Sequence, residues 1–266
     1  GGRHLDVERT SANIGFTDKS WGGAAGVQFS LAPNWLGSVA LGYDRSDIKV
    51  DDRASAVGDL LHIGAGAKYT LGNWQFSAAV TGGQARYNTV RTDVLPGLNA
   101  AGDSSIDFVA GRLRTAYVFG TNTSYAKPFL DLDAIGMRRN AFTETGAGPG
   151  GLNVRAQSDV LFSLAPAIEI GGQFSYASGS VLRPFLRAGV RLFNEEELNV
   201  TANFIGTPSG VSDFTVTMPL DQWMGEVSAG LELFGSDRYD ARISYEGRFA
   251  DRSMQHGGNL KLRSRF

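Results

Sequence analysis

Residues 61 to 71 read Leu61-His62-Ile63-Gly64-Ala65-Gly66-Ala67-Lys68-Tyr69-Thr70-Leu71, with every odd position apolar and every even position polar or glycine. Successive strand side chains point to opposite faces, so this stretch has one oily wall and one polar wall. About 9 to 11 residues is the length a tilted strand needs to cross a bilayer. The strict period of two rules out a helical stripe.

The same pattern recurs along the chain. Leu182, Pro184, Leu186, Ala188, Val190 and Leu192 alternate with Arg183, Phe185, Arg187, Gly189 and Arg191. Three arginines on one face cannot enter an apolar core unpaired, so that face requires water or partners. Residues 223 to 233 and 239 to 249 repeat the alternation. At the carboxyl end Leu260, Leu262, Ser264 and Phe266 fall opposite Asn259, Lys261, Arg263 and Arg265. Weaker versions lie at 25–31, 37–43, 74–82, 109–119, 128–136 and 160–170, and a first strand is expected around 3–11. The count of twelve predicts an all-β fold, an antiparallel 12-stranded transmembrane β-barrel in which the last strand pairs with the first. Pro128, Pro166 and Pro184 interrupt three of these strands, which predicts bulges or positions near strand ends.

Composition agrees. The 266 residues are 42% hydrophobic, mean hydropathy is −0.14, and no run approaches the roughly 18 apolar residues of a membrane helix. Barrel strands are only half apolar and escape that test. There is no cysteine, which removes disulfides and thiolate metal sites. Glycine occurs 35 times, well above the usual share of about 7%, as expected where strands kink or backbones approach closely. A net charge of −2 gives no reason to expect nucleic acid as a partner.

The connections fall into two sets. Ala32-Pro33-Asn34, Gly72-Asn73 and Gly235-Ser236-Asp237-Arg238 read as tight hairpins. Residues 51–58, 91–105, 143–151 and 194–213 read as longer polar loops. Outer-membrane barrels have short periplasmic turns and long extracellular loops, so both termini are expected on the periplasmic side. Trp35, Trp74, Tyr69, Phe119, Phe129, Phe234 and Tyr239 lie near the short turns and are expected to form an aromatic girdle.

The expected lumen-lining set is Lys68, Arg112, Arg114, Asp131, Asp133, Glu169, Arg183, Arg187, Arg191, Glu226, Glu232, Asp240, Arg242, Glu246, Arg248, Lys261, Arg263 and Arg265. A mixed-charge wall keeps a lumen wet and lets a polypeptide pass without strong adhesion, although any water-filled barrel pairs polar residues across strands. Asp131 and Asp133 have two readings: carboxylates sharing a proton, or partners of Arg112 and Arg114, which is favoured. Glu195, Glu196 and Glu197 cannot all point one way in a strand and read as a solvated tip. The glycine-rich run 146–151 lacks the Lys-Ser/Thr of a phosphate loop. His4, His62 and His256 have no metal-ligand spacing. No catalytic residue, metal or cofactor is assigned.

Several segments together resemble the translocator domain of type Va autotransporters. They are Gly26-Val27-Gln28, Leu41-Gly42-Tyr43 followed by Ser46-Asp47 and the stretch to Gly58, Phe142-Thr143-Glu144-Thr145-Gly146, Arg183-Pro184-Phe185, Ile243-Ser244-Tyr245-Glu246-Gly247-Arg248-Phe249, and Phe266. The resemblance covers the whole chain. It implies a Gram-negative outer-membrane barrel without enzymatic activity that anchors its own amino-terminal passenger and helps it reach the cell surface. The implied partners are that passenger, the barrel-assembly machinery and outer-membrane lipids, with the barrel a monomer. Gln255, Gly257, Leu260, Leu262 and Phe266 stand where the family carries its assembly signal. Family barrels follow a lumenal helix, whereas this sequence starts directly in a strand, so residues 1–266 are expected to be the barrel alone, lacking passenger and pore helix. Two alternatives remain at this point: an outer-membrane enzyme of phospholipase or omptin type, and a small-solute porin. A lumen of about twelve strands is expected to pass extended or helical chain rather than a folded domain.

Overall fold

The computed structural model describes residues 1–9, 15–51, 53–121, 123–177, 179–208, 210–234 and 239–264. Among the described residues the principal sheet is a ring of twelve strands, with two-residue strands at Phe119–Gly120 and Phe174–Ser175 added at its edge: β1 Gly2–Val7, β2 Phe16–Ala32, β3 Trp35–Val50, β4 Ala54–Leu71, β5 Trp74–Leu95, β6 Leu98–Tyr117, β7 Ser124–Arg139, β8 Gln157–Gly172, β9 Val181–Phe193, β10 Trp223–Phe234, β11 Tyr239–Phe249 and β12 Ser253–Ser264. Each pairs antiparallel with the next, and β12 pairs with β1 from Gly2↔Gly258 to Val7↔Ser253. The sheet is therefore a closed 12-stranded barrel. The closing strand β1 is six residues long, and residues 259–264 of β12 pair with β11 alone among the described residues. No helix among the described residues is long and apolar enough to cross a membrane.

Burial is inverted relative to a water-soluble fold. Val39, Leu61, Ile63, Val80, Leu113, Ile243, Leu260 and Leu262 are exposed, while Asp131, Glu169, Arg191, Asp240 and Ser244 are buried. A continuous exposed apolar surface of this size requires a nonpolar surrounding, which a bilayer supplies. Aromatic rings bound it at both ends. Beside the short turns, Trp35 stacks on Tyr69 at 4.7 Å, and Trp74 meets Tyr117 edge-on at 4.9 Å, with Phe119 4.5 Å from Tyr117. At the other end Trp21 meets Tyr43 at 6.3 Å. Along β3 the two rows are eight residues apart; at about 3.3 Å per residue and a tilt of about 40°, that is a band roughly 20 Å tall.

The strands run far beyond this band on one side. β5 has 22 residues and β6 has 20, and most of the stretches 51–58 and 91–105, expected as loops, are ladder. β3 runs to Val50 and β4 starts at Ala54, while β5 and β6 are joined by a turn at 96–97 with Gly97 at φ 74°. Outside the bilayer both faces of a strand meet water, so apolar alternation disappears while backbone pairing continues. The connections 140–156 and 194–222 do leave the barrel. Within them Phe142–Thr143, Leu152–Val154, Glu197–Phe204 and Phe214–Pro219 build a second, four-stranded sheet. Arg155 Nε lies 2.9 Å from Asp213 Oδ2 in this extension, and that hydrogen bond holds the Asp213 carboxyl below the ordinary carboxylate range. The short turns include 33–34 and 72–73, with Asn34 at φ 67° and Gly72 at φ 55°; the connection 235–238 lies outside the described residues.

The three prolines sit where a missing N–H does least harm. Pro128 lies one residue past the last β6–β7 pair, Ala116↔Phe129, and Pro184 one past the last β8–β9 pair, Gly171↔Phe185. At Pro166 the β8–β9 ladder is interrupted between Leu164↔Leu192 and Ala167↔Gly189 without any change of register. Pro166 therefore produces a gap rather than the bulge that was one of the two expectations.

Candidate functional site

The polar side chains of the barrel share the face opposite the exposed apolar band, and cross-strand register determines which of them meet. On the long-loop side of the wall, Arg112 Nε of β6 lies 2.5 Å from Asp133 Oδ1 of β7. Arg191 of β9 bonds the other oxygen of Asp133, takes in Ser163 Oγ of β8 at 2.8 Å, and reaches Glu226 Oε1 of β10 at 2.8 Å. Arg248 of β11 closes on the same Glu226 oxygen at 3.1 Å. A continuous chain of charge-assisted bonds thus crosses six strands. The planar, multidentate guanidinium makes this possible, because one arginine serves carboxylates on two neighbours.

A second tier lies nearer the short turns. Arg114 grips Asp131 with two bonds of 2.5 and 2.6 Å. Glu169 receives Lys127 Nζ at 2.5 Å, Arg187 Nη2 at 2.6 Å and the Tyr125 hydroxyl at 3.0 Å. Arg242 Nη1 lies 2.8 Å from Glu232 Oε1. Arg183 donates to Gln173 Oε1 at 2.9 Å and stands 4.7 Å over the Phe234 ring. Arg114 likewise covers Phe129 at 4.2 Å, and Arg242 covers Phe185 at 4.4 Å. Cations over ring faces keep their charge partly compensated. Between these groups lies a cavity of about 540 Å³, lined also by Lys68, Gln75 and Ser77.

Asp131 and Asp133 are thus engaged by guanidiniums rather than by each other. By register Glu246 pairs with Ser228 and Gly257, Lys261 with Arg242, and Arg263 with Asp240, all on the inner face. Arg265 and Phe266 lie outside the described residues. Trp35, Trp74, Tyr69, Phe119 and Tyr239 are on the outer face, Tyr239 at 71% exposure. Phe129 and Phe234, expected in the girdle, instead face inward under Arg114, Arg187 and Arg183. The strand period already places them there: each is in phase with charged neighbours, Phe129 with Asp131 and Phe234 with Glu232. The assembly-signal positions divide by face. Leu260 and Leu262 are outward at 65% and 74% exposure, whereas Gly257 pairs with inward Arg3 and Gln255 accepts a 3.5 Å bond from Arg248.

Sequence reasoning missed Lys127, Tyr125 and Arg91. The first two continue the inward phase of Asp131 and Asp133 across Pro128, where the apolar alternation legible in the sequence begins. Arg91 falls in the polar stretch 91–105, which reads as a loop; it bonds Glu144 at 2.7 Å, and Glu144 in turn accepts the Leu152 N–H at 2.9 Å, fastening the 140–156 connection to β5. The histidines meet no serine in these contacts: His62 Nδ1 is 3.4 Å from Asp44 Oδ2, and His256 Nδ1 is 2.5 Å from the Tyr245 hydroxyl. Among the described residues no group of His, Asp and Glu is arranged to hold a metal.

The family model described as the autotransporter beta-domain matches residues 1–246. This chain belongs to that family. The translocator domain is similar in fold to that of the autotransporter NalP from Neisseria meningitidis, with a TM-score of 0.80 at 15% identity, covering 100% of this chain and 87% of that one. It is similar as well to the beta domain of the Bordetella autotransporter BrkA, with a TM-score of 0.66 at 18% identity over 100% and 98% of the two chains. The transport unit of AIDA-I from Escherichia coli gives 0.65 at 13% over 100% and 88%. No curated protein matches the chain in sequence. As an autotransporter β-domain, this barrel resides in the Gram-negative outer membrane, anchors an amino-terminal passenger and helps export it to the cell surface.

Proposed function

We propose that the translocator works as a passive, wet conduit, with no chemistry of its own, whose inner wall lets an unfolded passenger slide past. The observation that carries this is the ion-pair lattice from Arg112 to Arg248, in which Arg112, Asp133, Arg191, Glu226 and Arg248 each already meet a partner across the sheet. A passing chain therefore finds polar groups that bind it weakly, which suits transport better than a row of unpaired charges. In this reading residues 1–266 are the barrel unit, and the passenger with its lumenal helix belongs upstream. Gln255, Gly257, Leu260, Leu262 and Phe266 act as the assembly signal, the outward leucines meeting both lipid and the assembly machinery. The barrel works as a monomer, since its ring is closed within one chain.

The test is ion conductance in planar bilayers with and without the upstream segment. The barrel alone should pass large currents, and the upstream segment should close it. Large steady channels in both forms would favour a porin and contradict the proposal.

A further inference from the structure

The cavity near the short turns departs from the balance seen elsewhere on the wall. Six cations line it: Lys68, Arg114, Lys127, Arg183, Arg187 and Arg242. Against them stand three carboxylates, Glu169 and Glu232 in the lining and Asp131 behind Arg114. Glu169 is shared by Lys127 and Arg187, Glu232 is held by Arg242, and Asp131 by Arg114. Among the described residues Arg183 meets an amide oxygen and a ring face, and Lys68 makes no ion pair. A recess of about 540 Å³ walled by low-dielectric protein concentrates the field of such a surplus, and an anion entering it gains more than it would on an open surface. The size suits several side chains of an inserted segment.

We propose that this cavity binds carboxylate side chains of the exported polypeptide, holding an acidic segment at the short-turn mouth of the lumen through Lys68 and Arg183. The inference rests on the export function stated above and adds the chemistry of the segment that the mouth prefers. Hydrated carboxylates fit a site built from one ammonium and one ring-supported guanidinium, because binding there breaks no existing ion pair. A neutral segment would leave both charges as they are and gain nothing.

The test is current block of the 266-residue barrel in planar bilayers by two synthetic peptides of equal length. One carries four glutamates and the other glutamines at the same positions. The acidic peptide should reach half-block at a concentration at least tenfold lower. That ratio should fall below threefold in Lys68→Gln/Arg183→Gln and stay near tenfold in Lys68→Arg/Arg183→Lys. Since neither residue belongs to an ion pair among the described residues, the first variant leaves the lattice whole, and its heat-dependent gel mobility reports that it is folded. Equal block of the unmodified barrel by both peptides overturns the proposal and leaves export standing. Open current with no block by either peptide overturns it together with the idea that polypeptide enters this lumen. A Gln variant that keeps the tenfold peptide ratio also overturns it, because Lys68 and Arg183 then do not hold the acidic segment.

Discussion

Arg191 shows how much a single side chain contributes to the wall. Its side chain is 7% exposed and joins Asp133, Ser163 and Glu226, so removing it leaves two carboxylates facing each other across β9. Breaking a buried pair by deleting one partner costs about 3 to 5 kcal/mol in dry interiors, and a wet lumen relieves part of that. Arg191→Met should therefore lower the unfolding free energy of the barrel by about 2 to 4 kcal/mol, measured by urea titration of tryptophan fluorescence in lipid vesicles. Arg112, whose side chain is 44% exposed, should cost about 1 kcal/mol or less in the same substitution, because water already screens it. Equal losses for the two would mean that the lattice is not organised around Arg191.

At the scale of the strand, the face of a residue matters more than its type. Val39 and Ala40 are neighbours on β3, Val39 outward at 44% exposure midway between Trp35 and Tyr43, and Ala40 inward between Gly26 and Gly64. Arginine on the lipid face near mid-membrane costs about 2 to 4 kcal/mol. Val39→Arg should show that loss in the urea titration, while Ala40→Arg should stay within about 1 kcal/mol, the ordinary range for a substitution facing water. A reversed order would place the faces the wrong way round. The same alternation explains what the sequence could and could not reveal. Inside the bilayer each strand separates oil from water, and residues 61–71 or 182–192 display that separation directly. Beyond the bilayer no such contrast exists, so the upper thirds of β5 and β6 look like loops although their ladder is unbroken through Arg91↔Ala100. Phe129 and Phe234 were misplaced for a related reason: an aromatic side chain fits either a membrane boundary or the face beneath a guanidinium, and only its phase decides.

For the whole molecule, export through this barrel requires that the exported chain run along its inner wall, in contact with one parity of residues and not the other. Closure by β1 and β12, the outward apolar band and the inward charge lattice all derive from one sequence period, so the face of contact was legible before any coordinates. The identity of cross-strand partners was not, because register depends on turn lengths such as that at 96–97, which composition alone misjudges. The chain has no cysteine, which allows a direct measurement on the translocator joined to its passenger. With export stalled and a single cysteine in the passenger near the barrel, disulfide trapping should capture Ser38→Cys, on the inner face, and leave Val39→Cys, one residue away on the outer face, untrapped. Trapping at Val39→Cys, or at both positions alike, would contradict passage along the inner wall of this barrel.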